Sequence, residues 1–223
     1  MSLGRPSIHT IVTPMFEENA YVVSMAAADG GRVGWVIDPG LGRQPEMILD
    51  YLAEQSIRLE RILLTHGHAD HTAGVDALCR AHPQVEALIS LPDHPMLTDP
   101  DRNLSGRFGV AFRVESPVHA DLEPGRSLSL AGWPWTVLDV SGHSPGGRAI
   151  YSDRAGVVFT GDALFCGSIG RGDLPGSDPQ RLLANIRAHL LCLPDETVVY
   201  PGHGPTTTIG NERKSNPFLA DAY

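Results

Sequence analysis

Hydrophobic residues recur along the chain in short runs, and residues that favour turns separate these runs. Runs of this length that are rich in Val and Ile are typical of β-strands. The first two runs, 8–12 and 21–23, are separated by Pro14 and by the polar residues 17–19, which predicts a hairpin at the start of the chain. The predicted strands are 8–12, 21–23, 34–37, 61–64, 85–90, 127–130, 135–140, 148–151, 157–160 and 197–200.

Other segments carry hydrophobic residues at helical spacing. Pro45 suits the first turn of one such segment, Asp178 is placed to cap another, and Pro83 ends a third. Residues 99–112 show no regular pattern and are predicted as a loop beside the functional residues. The predicted helices are 45–55, 72–81, 92–98 and 179–191.

The alternation of strands and helices predicts an α/β sandwich. No short-period repeat, low-complexity segment or linker divides the sequence. A chain of this length can bury a sizeable core without disulfides. We therefore expect residues 1–223 to form a single domain.

Composition narrows the classes of function. The formal net charge of −9, with no run of Lys or Arg, is unfavourable for a nucleic-acid-binding surface. No apolar stretch is long enough to span a membrane, and the first residues lack the apolar run of a signal peptide. Cys79, Cys166 and Cys192 are odd in number and widely spaced, which favours reduced thiols. We expect a cytoplasmic protein without nucleic-acid or membrane partners.

The candidate chemistry is concentrated in residues 64–71, which read Leu-Thr-His-Gly-His-Ala-Asp-His. Neutral imidazole is the commonest metal-binding side chain, and a carboxylate adds the negative charge that a divalent cation needs. On extended backbone His66 and His68 point the same way, whereas Asp70 and His71 follow a bend and aim at a neighbouring point. The motif therefore predicts two adjacent metal sites.

Three later residues complete these two sites. His143, Asp162 and His203 each follow a predicted strand and each adjoins a glycine. Glycine lets the backbone turn sharply and lets other groups approach closely. The predicted sets are His66, His68 and His143 for the first metal, Asp70, His71 and His203 for the second, and Asp162 as the bridge.

These segments resemble the motifs of the metallo-β-lactamase fold superfamily, and within it the glyoxalase II-like branch, over nearly the whole chain. The resemblance implies a four-layer αββα sandwich with a binuclear metal site at one edge, and all seven ligand positions are present. The four motifs are Thr-His-Gly-His-Ala-Asp-His at 65–71, Ser-Gly-His-Ser-Pro-Gly-Gly at 141–147, Phe-Thr-Gly-Asp-Ala-Leu-Phe at 159–165 and Tyr-Pro-Gly-His-Gly-Pro at 200–205.

The resemblance also implies a reaction. Members of this branch hydrolyse S-acylglutathiones, typically S-lactoylglutathione, with a hydroxide that bridges two divalent metal ions. Asp70 would hold the proton of that hydroxide as well as bind metal, so it is the predicted catalytic residue. A thioester suits this chemistry because a thiol, with a pKa near ~8.5, leaves without a strong general acid. Similar proteins carry a basic residue at the position of Arg171, which we expect to bind the carboxylate of the substrate.

The expected metal is zinc, with iron or manganese as alternatives, because a mixed set of His and Asp ligands accepts all three. The remaining histidines fall outside the predicted sites and are expected on the surface or in capping roles. These are His9, His82, His94, His119 and His189.

The chain departs from the longer glyoxalase II enzymes. It lacks their helical C-terminal portion, which supplies glutathione contacts, and keeps only the Asn-Pro-Phe signature at 216–218. The alternatives are a persulfide dioxygenase with one iron, which the Gly-Arg-Gly-Asp at 170–173 resembles, a lactonase, or a metal-binding protein without catalysis. Glutathione recognition is the point that this departure leaves open.

Overall fold

The computed structural model describes residues 4–14 and 16–219. Within these ranges the first sheet has six strands in chain order, antiparallel across its first three strands and parallel from the third onward. Its strands are β1 (Ser7–Thr13), β2 (Glu18–Ala26), β3 (Arg32–Ile37), β4 (Ile57–Leu63), β5 (Glu86–Ile89) and β6 (His119–Ala120).

The second sheet also has six strands, and a two-stranded hairpin lies beside it. Its strands are β7 (Ser127–Leu130), β8 (Trp133–Asp139), β9 (Arg148–Ser152), β10 (Val157–Gly161), β13 (Val198–Pro201) and β14 (Thr207–Thr208), and the hairpin is β11 (Leu164–Phe165) and β12 (Ser168–Ile169). The order across the sheet is β14-β13-β10-β9-β8-β7, with β10 and β13 parallel to each other.

Five α-helices occur in the described ranges, with short 3₁₀ turns at His94–Thr98 and Ser105–Phe108. The helices are α1 (Gln44–Glu54), α2 (Ala69–Thr72), α3 (Val75–Ala81), α4 (Pro179–Asn185) and α5 (Ile209–Ser215). None of the helices in these ranges is both long enough and apolar enough to cross a membrane.

The two sheets pack face to face over a shared hydrophobic core. The rings of Trp35 and Trp135 meet at its centre with 5.9 Å between centroids, and Phe159 lies 6.1 Å from Trp135. Aromatic rings carry the largest apolar area of any side chains, so these residues dominate the burial that holds the sheets together.

Helices cover the outer face of each sheet. Ile48 and Leu52 of α1 and Leu78 of α3 pack on the first sheet, whereas Leu182 of α4 and Ile209 of α5 pack on the second. The predicted four-layer αββα sandwich is confirmed.

The predicted helix over 72–81 is wrong at its start. The chain forms two short helices instead, α2 and α3, which are separated at Ala73 and Gly74. Gly74 donates its N–H to the carbonyl of Gly40, and a Cβ at this position would lie 2.4 Å from the carbonyl oxygen of Pro39. This close backbone approach interrupts the helix, and hydrophobic spacing contains no sign of it.

Several other segments differ from the prediction. The helix predicted over 179–191 is α-helical only to Asn185 and continues as a wider π-type turn over Ile186–Leu190. The hairpin β11–β12 and the final pair of β14 and α5 have no counterpart among the predicted elements, because each is too short to show a periodic pattern.

The candidate ligands follow the ends of four strands, as predicted. His66 comes after β4, His143 after β8, Asp162 after β10 and His203 after β13. Strand β4 belongs to the first sheet, and β8, β10 and β13 belong to the second. The loops that leave them meet at one edge of the sandwich, where the side chains converge.

Candidate metal centre

The loop after β4 places its histidines inside the protein. His66, His68 and His71 are buried, whereas Asp70 is partly exposed. His68 has extended backbone (φ −71°, ψ 147°), and the short helix α2 begins directly after it. This change from extended to helical backbone separates the direction of His66 and His68 from that of Asp70 and His71, as the sequence predicts.

His66, His68 and His143 form the first cluster, with one potential ligand atom from each lying within 4.8 Å of the others. The Nδ1 atom of His68 is 3.1 Å from the Nε2 atom of His143. His66 and His68 come from the first sheet and His143 from the second. The structure thus brings the predicted first set together across the two sheets.

Asp70, His71 and His203 form the second cluster, again within 4.8 Å. The Nε2 atoms of His71 and His203 are 3.2 Å apart, and Asp70 Oδ2 lies 3.8 Å from the first and 3.6 Å from the second. This cluster also takes residues from both sheets, since His203 follows β13.

Asp162 lies between the two clusters. Its Oδ2 is 3.5 Å from His143 Nε2 and 3.4 Å from His203 Nε2, and its Oδ1 is 3.4 Å from His71 Nε2. Burial alone would raise the pKa of this carboxyl, but the charges of His71 and His203 hold it well below its ordinary value. A carboxylate that stays ionised here can face both clusters at once.

Hydrogen bonds orient four of the five histidines in the same way. In each the Nδ1 atom faces an oxygen acceptor, which leaves Nε2 as the atom with a free lone pair. The pairs are His66 with Thr65 Oγ1 (3.0 Å), His71 with Asp38 Oδ2 (3.1 Å), His143 with the carbonyl of Arg171 (3.1 Å) and His203 with the carbonyl of Phe16 (2.8 Å).

These residues fit divalent metal ions. His66 Nε2 and Asp162 Oδ1 are buried and have no hydrogen-bond partner in the described part of the chain. Burial and neighbouring imidazoles hold the pKa of His66 and of His68 well below the usual histidine range, so both rings are neutral at pH 7 and can ligate a cation. Two cations, one on each side of the Asp162 carboxylate, would bind these unpaired acceptor atoms and the free Nε2 lone pairs of the histidines.

Asp38 is a buried carboxylate that supports the centre through hydrogen bonds. The sequence pattern indicated only that it forms part of a turn. Its carboxylate accepts hydrogen bonds from the N–H (2.8 Å) and hydroxyl (2.6 Å) of Thr65 and from His71. Asp38 thereby holds a histidine of each cluster, His71 directly and His66 through Thr65. Its backbone is left-handed (φ +48°), which agrees with the turn predicted at 38–40. The turn also directs the carboxylate toward Thr65 and His71.

Asp93 is a second carboxylate that sequence analysis missed. It is fully buried and accepts hydrogen bonds from the N–H groups of Gly67 (3.1 Å) and Gly146 (2.6 Å) and from the Ser144 hydroxyl (2.6 Å). Gly67 separates His66 from His68, and Ser144 follows His143. Asp93 therefore ties together the two loops that carry the first cluster.

The loop that carries His203 is held by the start of β2. The Asn19 amide donates to the carbonyls of Pro201 (3.0 Å) and Gly204 (2.8 Å), and the Tyr21 hydroxyl donates to Pro201 (2.6 Å). Gly202 leaves no room for a side chain, because a Cβ there would lie 2.1 Å from Asp162 Oδ1. Glycine beside His203 is thus a steric requirement of the centre.

Arg171 contributes its backbone to the centre, through the carbonyl that faces His143. Its side chain is exposed and forms two hydrogen bonds to the carboxylate of Asp173, at 2.9 and 2.8 Å. Binding of substrate by this side chain stays a prediction. The structure adds that the guanidinium already has an anionic partner.

Glu18 is a fully buried acid beside the second cluster, with Oε1 3.9 Å from His71 Nδ1. Burial outweighs the nearby His71 and raises the pKa of Glu18 from 4.5 to about 8. Between these values the folded protein keeps a proton that the unfolded chain has released. The contribution of Glu18 to stability is therefore complete below pH 4.5 and is lost as the pH rises through about 8.

We expect Glu18→Gln to stabilise the metal-free protein increasingly as the pH rises from 5 to 8. The slope of the difference should approach roughly 1.4 kcal/mol per pH unit, the value for one proton. Urea unfolding at several pH values, with the exposed Glu54→Gln as control, measures it. Parallel stability curves for Glu18→Gln and the parent protein would contradict the expectation.

Comparisons with known proteins agree with this architecture. A family model, the metallo-beta-lactamase superfamily, matches residues 14–203, which is most of the chain. The chain belongs to the metallo-β-lactamase superfamily.

Two relatives within the superfamily span almost the same length as this chain. It is 34% identical over 214 residues to hydroxyacylglutathione hydrolase GloC of Haemophilus influenzae, covering 96% of this chain and 98% of the relative. The crystal structure of the BLEG-1 B3 metallo-beta-lactamase superimposes with a TM-score of 0.87 at 35% identity, covering 96% of this chain and all of that one.

A third match bears on metal. The structure of TTHA1623, solved in a di-iron-bound form, has a TM-score of 0.80 and 40% identity, covering 95% of this chain and all of the other. Together with the histidine and aspartate clusters, superfamily membership shows that this chain is a metallo-hydrolase that binds divalent metal.

Proposed function

We propose that this metallo-hydrolase is a binuclear thioesterase that acts on S-acylglutathiones such as S-lactoylglutathione. The observation that carries the proposal is the position of Asp162, 3.4–3.5 Å from imidazoles of both clusters. A bridging carboxylate between two complete ligand sets supports two adjacent cations. The first would be held by His66, His68 and His143 and the second by Asp70, His71 and His203.

Two such cations, when bound, supply an acidified water and polarise the carbonyl of the substrate. The protein's own residues then have separate tasks. Asp38 and Asp93 hold the histidine loops in place. Asp70 is partly exposed, so it faces the side from which a substrate enters, and its carboxylate can hold the proton of the attacking water. We assign Asp70 this catalytic role.

A thioester fits the polar groups of this site. All five histidines belong to the proposed ligand sets, so none of them is left to protonate a leaving group. A thiolate needs no such acid, because its conjugate thiol has a pKa near ~8.5. The name of the Haemophilus influenzae relative, hydroxyacylglutathione hydrolase, supports glutathione as the thiol half.

We propose zinc as the metal. Five imidazoles and two carboxylates also suit iron and manganese, and one structural relative is a di-iron form. We further propose that residues 1–223 act as a single hydrolase domain on a small molecule in the cytoplasm, where the three unpaired cysteines would remain reduced.

Hydrolysis of S-lactoylglutathione by purified protein of known metal content tests the proposal. We expect turnover by the parent protein and its loss in His68→Ala. A lactone and a β-lactam serve as competing substrates, the latter because of the structural likeness to a B3 metallo-beta-lactamase. Turnover of either competitor without turnover of the thioester would reject the proposed substrate.

The persulfide dioxygenase alternative predicts a different result. Such an enzyme would hold one iron and consume oxygen in the presence of glutathione persulfide. The second cluster, with its Nε2 atoms 3.2 Å apart, supports a second metal instead. Oxygen uptake by protein that contains a single iron would favour the dioxygenase.

A further inference from the structure

Residues 99–112 lie against the metal centre and are attached to it. The N–H of Ala69, which separates His68 from Asp70, donates to the carbonyl of Asn103 at 2.9 Å. The buried Asn103 side chain accepts from the N–H of Ser105 and donates to the carbonyl of Phe112. The segment is therefore fixed at the loop of the first cluster.

The same segment reaches the second cluster through two aromatic rings. Phe108 packs against Phe16 with 5.7 Å between ring centroids, and the carbonyl of Phe16 accepts the hydrogen bond from His203. Both rings are exposed, Phe16 by 38% and Phe108 by 68%. Residues 103–108 thus extend from the His68 side of the centre to the His203 side, beside the loop that carries the partly exposed Asp70.

Arg107 adds a positive charge to this segment. Its backbone N–H donates to the carbonyl of Leu104 at 3.1 Å. Its side chain is exposed, and the guanidinium forms no hydrogen bond or ion pair with any residue of 4–14 or 16–219. It directly precedes Phe108, whose ring packs on Phe16, so its backbone lies beside the His203 side of the centre. Arg171 pairs with Asp173 and Arg102 with Asp99, so among these three arginines only Arg107 has a guanidinium without an ion-pair partner in the described residues.

We propose that Phe16, Arg107 and Phe108 form the substrate-binding wall of this centre. Arg107 binds a carboxylate on the thiol half of the thioester, and the two phenyl rings cover the apolar atoms next to the scissile bond. This inference rests on the proposed thioesterase function and names the substrate class more closely: a thioester whose thiol half is anionic and extends away from the metal ions.

The physical reasons for this assignment are charge and exposed apolar area. The chain carries a net charge of −9, so an anionic substrate is repelled by most of its surface and needs a local cation to bind. A guanidinium without a protein partner is free to form a charge-assisted pair with a carboxylate. Two adjacent exposed phenyl rings gain free energy when a ligand removes them from water.

Kinetics on two thioesters test the role of Arg107. We expect Arg107→Gln to raise KM for S-lactoylglutathione about tenfold, with kcat unchanged, since a hydrogen bond to a charged group accounts for at least that factor. The uncharged thioester S-lactoyl-N-acetylcysteamine has the same acyl group, and its kinetics should not change. Arg102→Gln is the control, because Arg102 is an exposed arginine of the same segment that already pairs with Asp99.

S-hexylglutathione is a thioether with the same carboxylates and no scissile carbonyl. Its binding therefore tests the substrate-binding wall independently of hydrolysis. Calorimetry should show weaker binding to Arg107→Gln and to Phe108→Ala, but not to Arg102→Gln or to Met47→Ala, an exposed apolar residue of α1. Equal affinity of Arg107→Gln and parent protein, or no binding to either, would overturn the wall. Binding that depends on Arg107 without hydrolysis of any thioester would instead reject the proposed function and keep the wall.

Discussion

Asp162→Asn is expected to lower kcat/KM by about a hundredfold or more. Loss of a residue that only supports a metal ligand costs about 10- to 100-fold, and Asp162 is proposed to bind the metal directly. The substitution keeps the size of the side chain but removes the charge that faces His71, His143 and His203. Two cations bound about 3.5–4 Å apart would repel each other strongly unless an anion such as the Asp162 carboxylate lay between them. The variant should therefore bind less metal than the parent protein, which elemental analysis of the dialysed protein measures.

The metal-free variant provides a second readout. In the parent chain Asp162 raises the pKa of His71 and of His203 above the usual histidine value, against the effect of burial. Without the carboxylate both pKa values should fall, which NMR titration of the imidazoles detects. Asp50→Asn, an exposed aspartate of α1, is the matched control. Full metal content together with unchanged kcat/KM in Asp162→Asn would refute the bridging role.

Asp93→Ala is expected to reduce both stability and metal affinity. It leaves three buried donors without their acceptor, and each donor that water cannot reach costs about 1–3 kcal/mol. These donors are on Gly67, Ser144 and Gly146, in the two loops of the first cluster. Displacement of these loops should weaken metal binding about 10- to 100-fold, the usual effect of losing outer support for ligands.

Asp76→Ala is a suitable comparison for this variant. Asp76 also accepts three hydrogen bonds, from the backbone N–H groups of Glu115 and Ser116, but it is only partly buried and touches no candidate ligand. Chemical unfolding and metal titration should show a smaller loss of stability for Asp76→Ala and unchanged metal affinity. Equal metal affinity of Asp93→Ala and Asp76→Ala would show that Asp93 does not position the centre.

The candidate ligands could be predicted because their signal is local. His66, His68, Asp70 and His71 lie within six residues, and spacing alone separates them into two directions. The other three each stand beside glycine after an apolar run. The structure brings all seven together, so the geometry that the sequence implied is present. Their ligand roles stay a prediction until metal is measured.

The supporting carboxylates could not be predicted, because their partners are distant in sequence. Asp38 holds Thr65, 27 residues away, and Asp93 holds Ser144, 51 residues away. Each also stands in a segment with a simpler local interpretation, a turn at 38–40 and a short helix at 92–98. Only the packing of the two sheets shows that these side chains face the centre.

For segment 99–112 the sequence predicted the loop but not its contacts. Irregular hydrophobic spacing correctly indicated a loop near the functional residues. It could not indicate that the Arg107 side chain has no partner within residues 4–14 and 16–219, or that Phe108 contacts Phe16. Both facts depend on how far the loop folds back toward β1 and β2.

Each ligand cluster draws residues from both sheets. Neither half of the sandwich contains a complete ligand set, so neither could retain metal if the halves separated. The free energy of metal binding is therefore available only when the two sheets are docked, and it adds to the hydrophobic core between them. A pair of metal ions at this edge would therefore link the two sheets. Removing the ions with a chelator would weaken the association of the sheets as well as end catalysis.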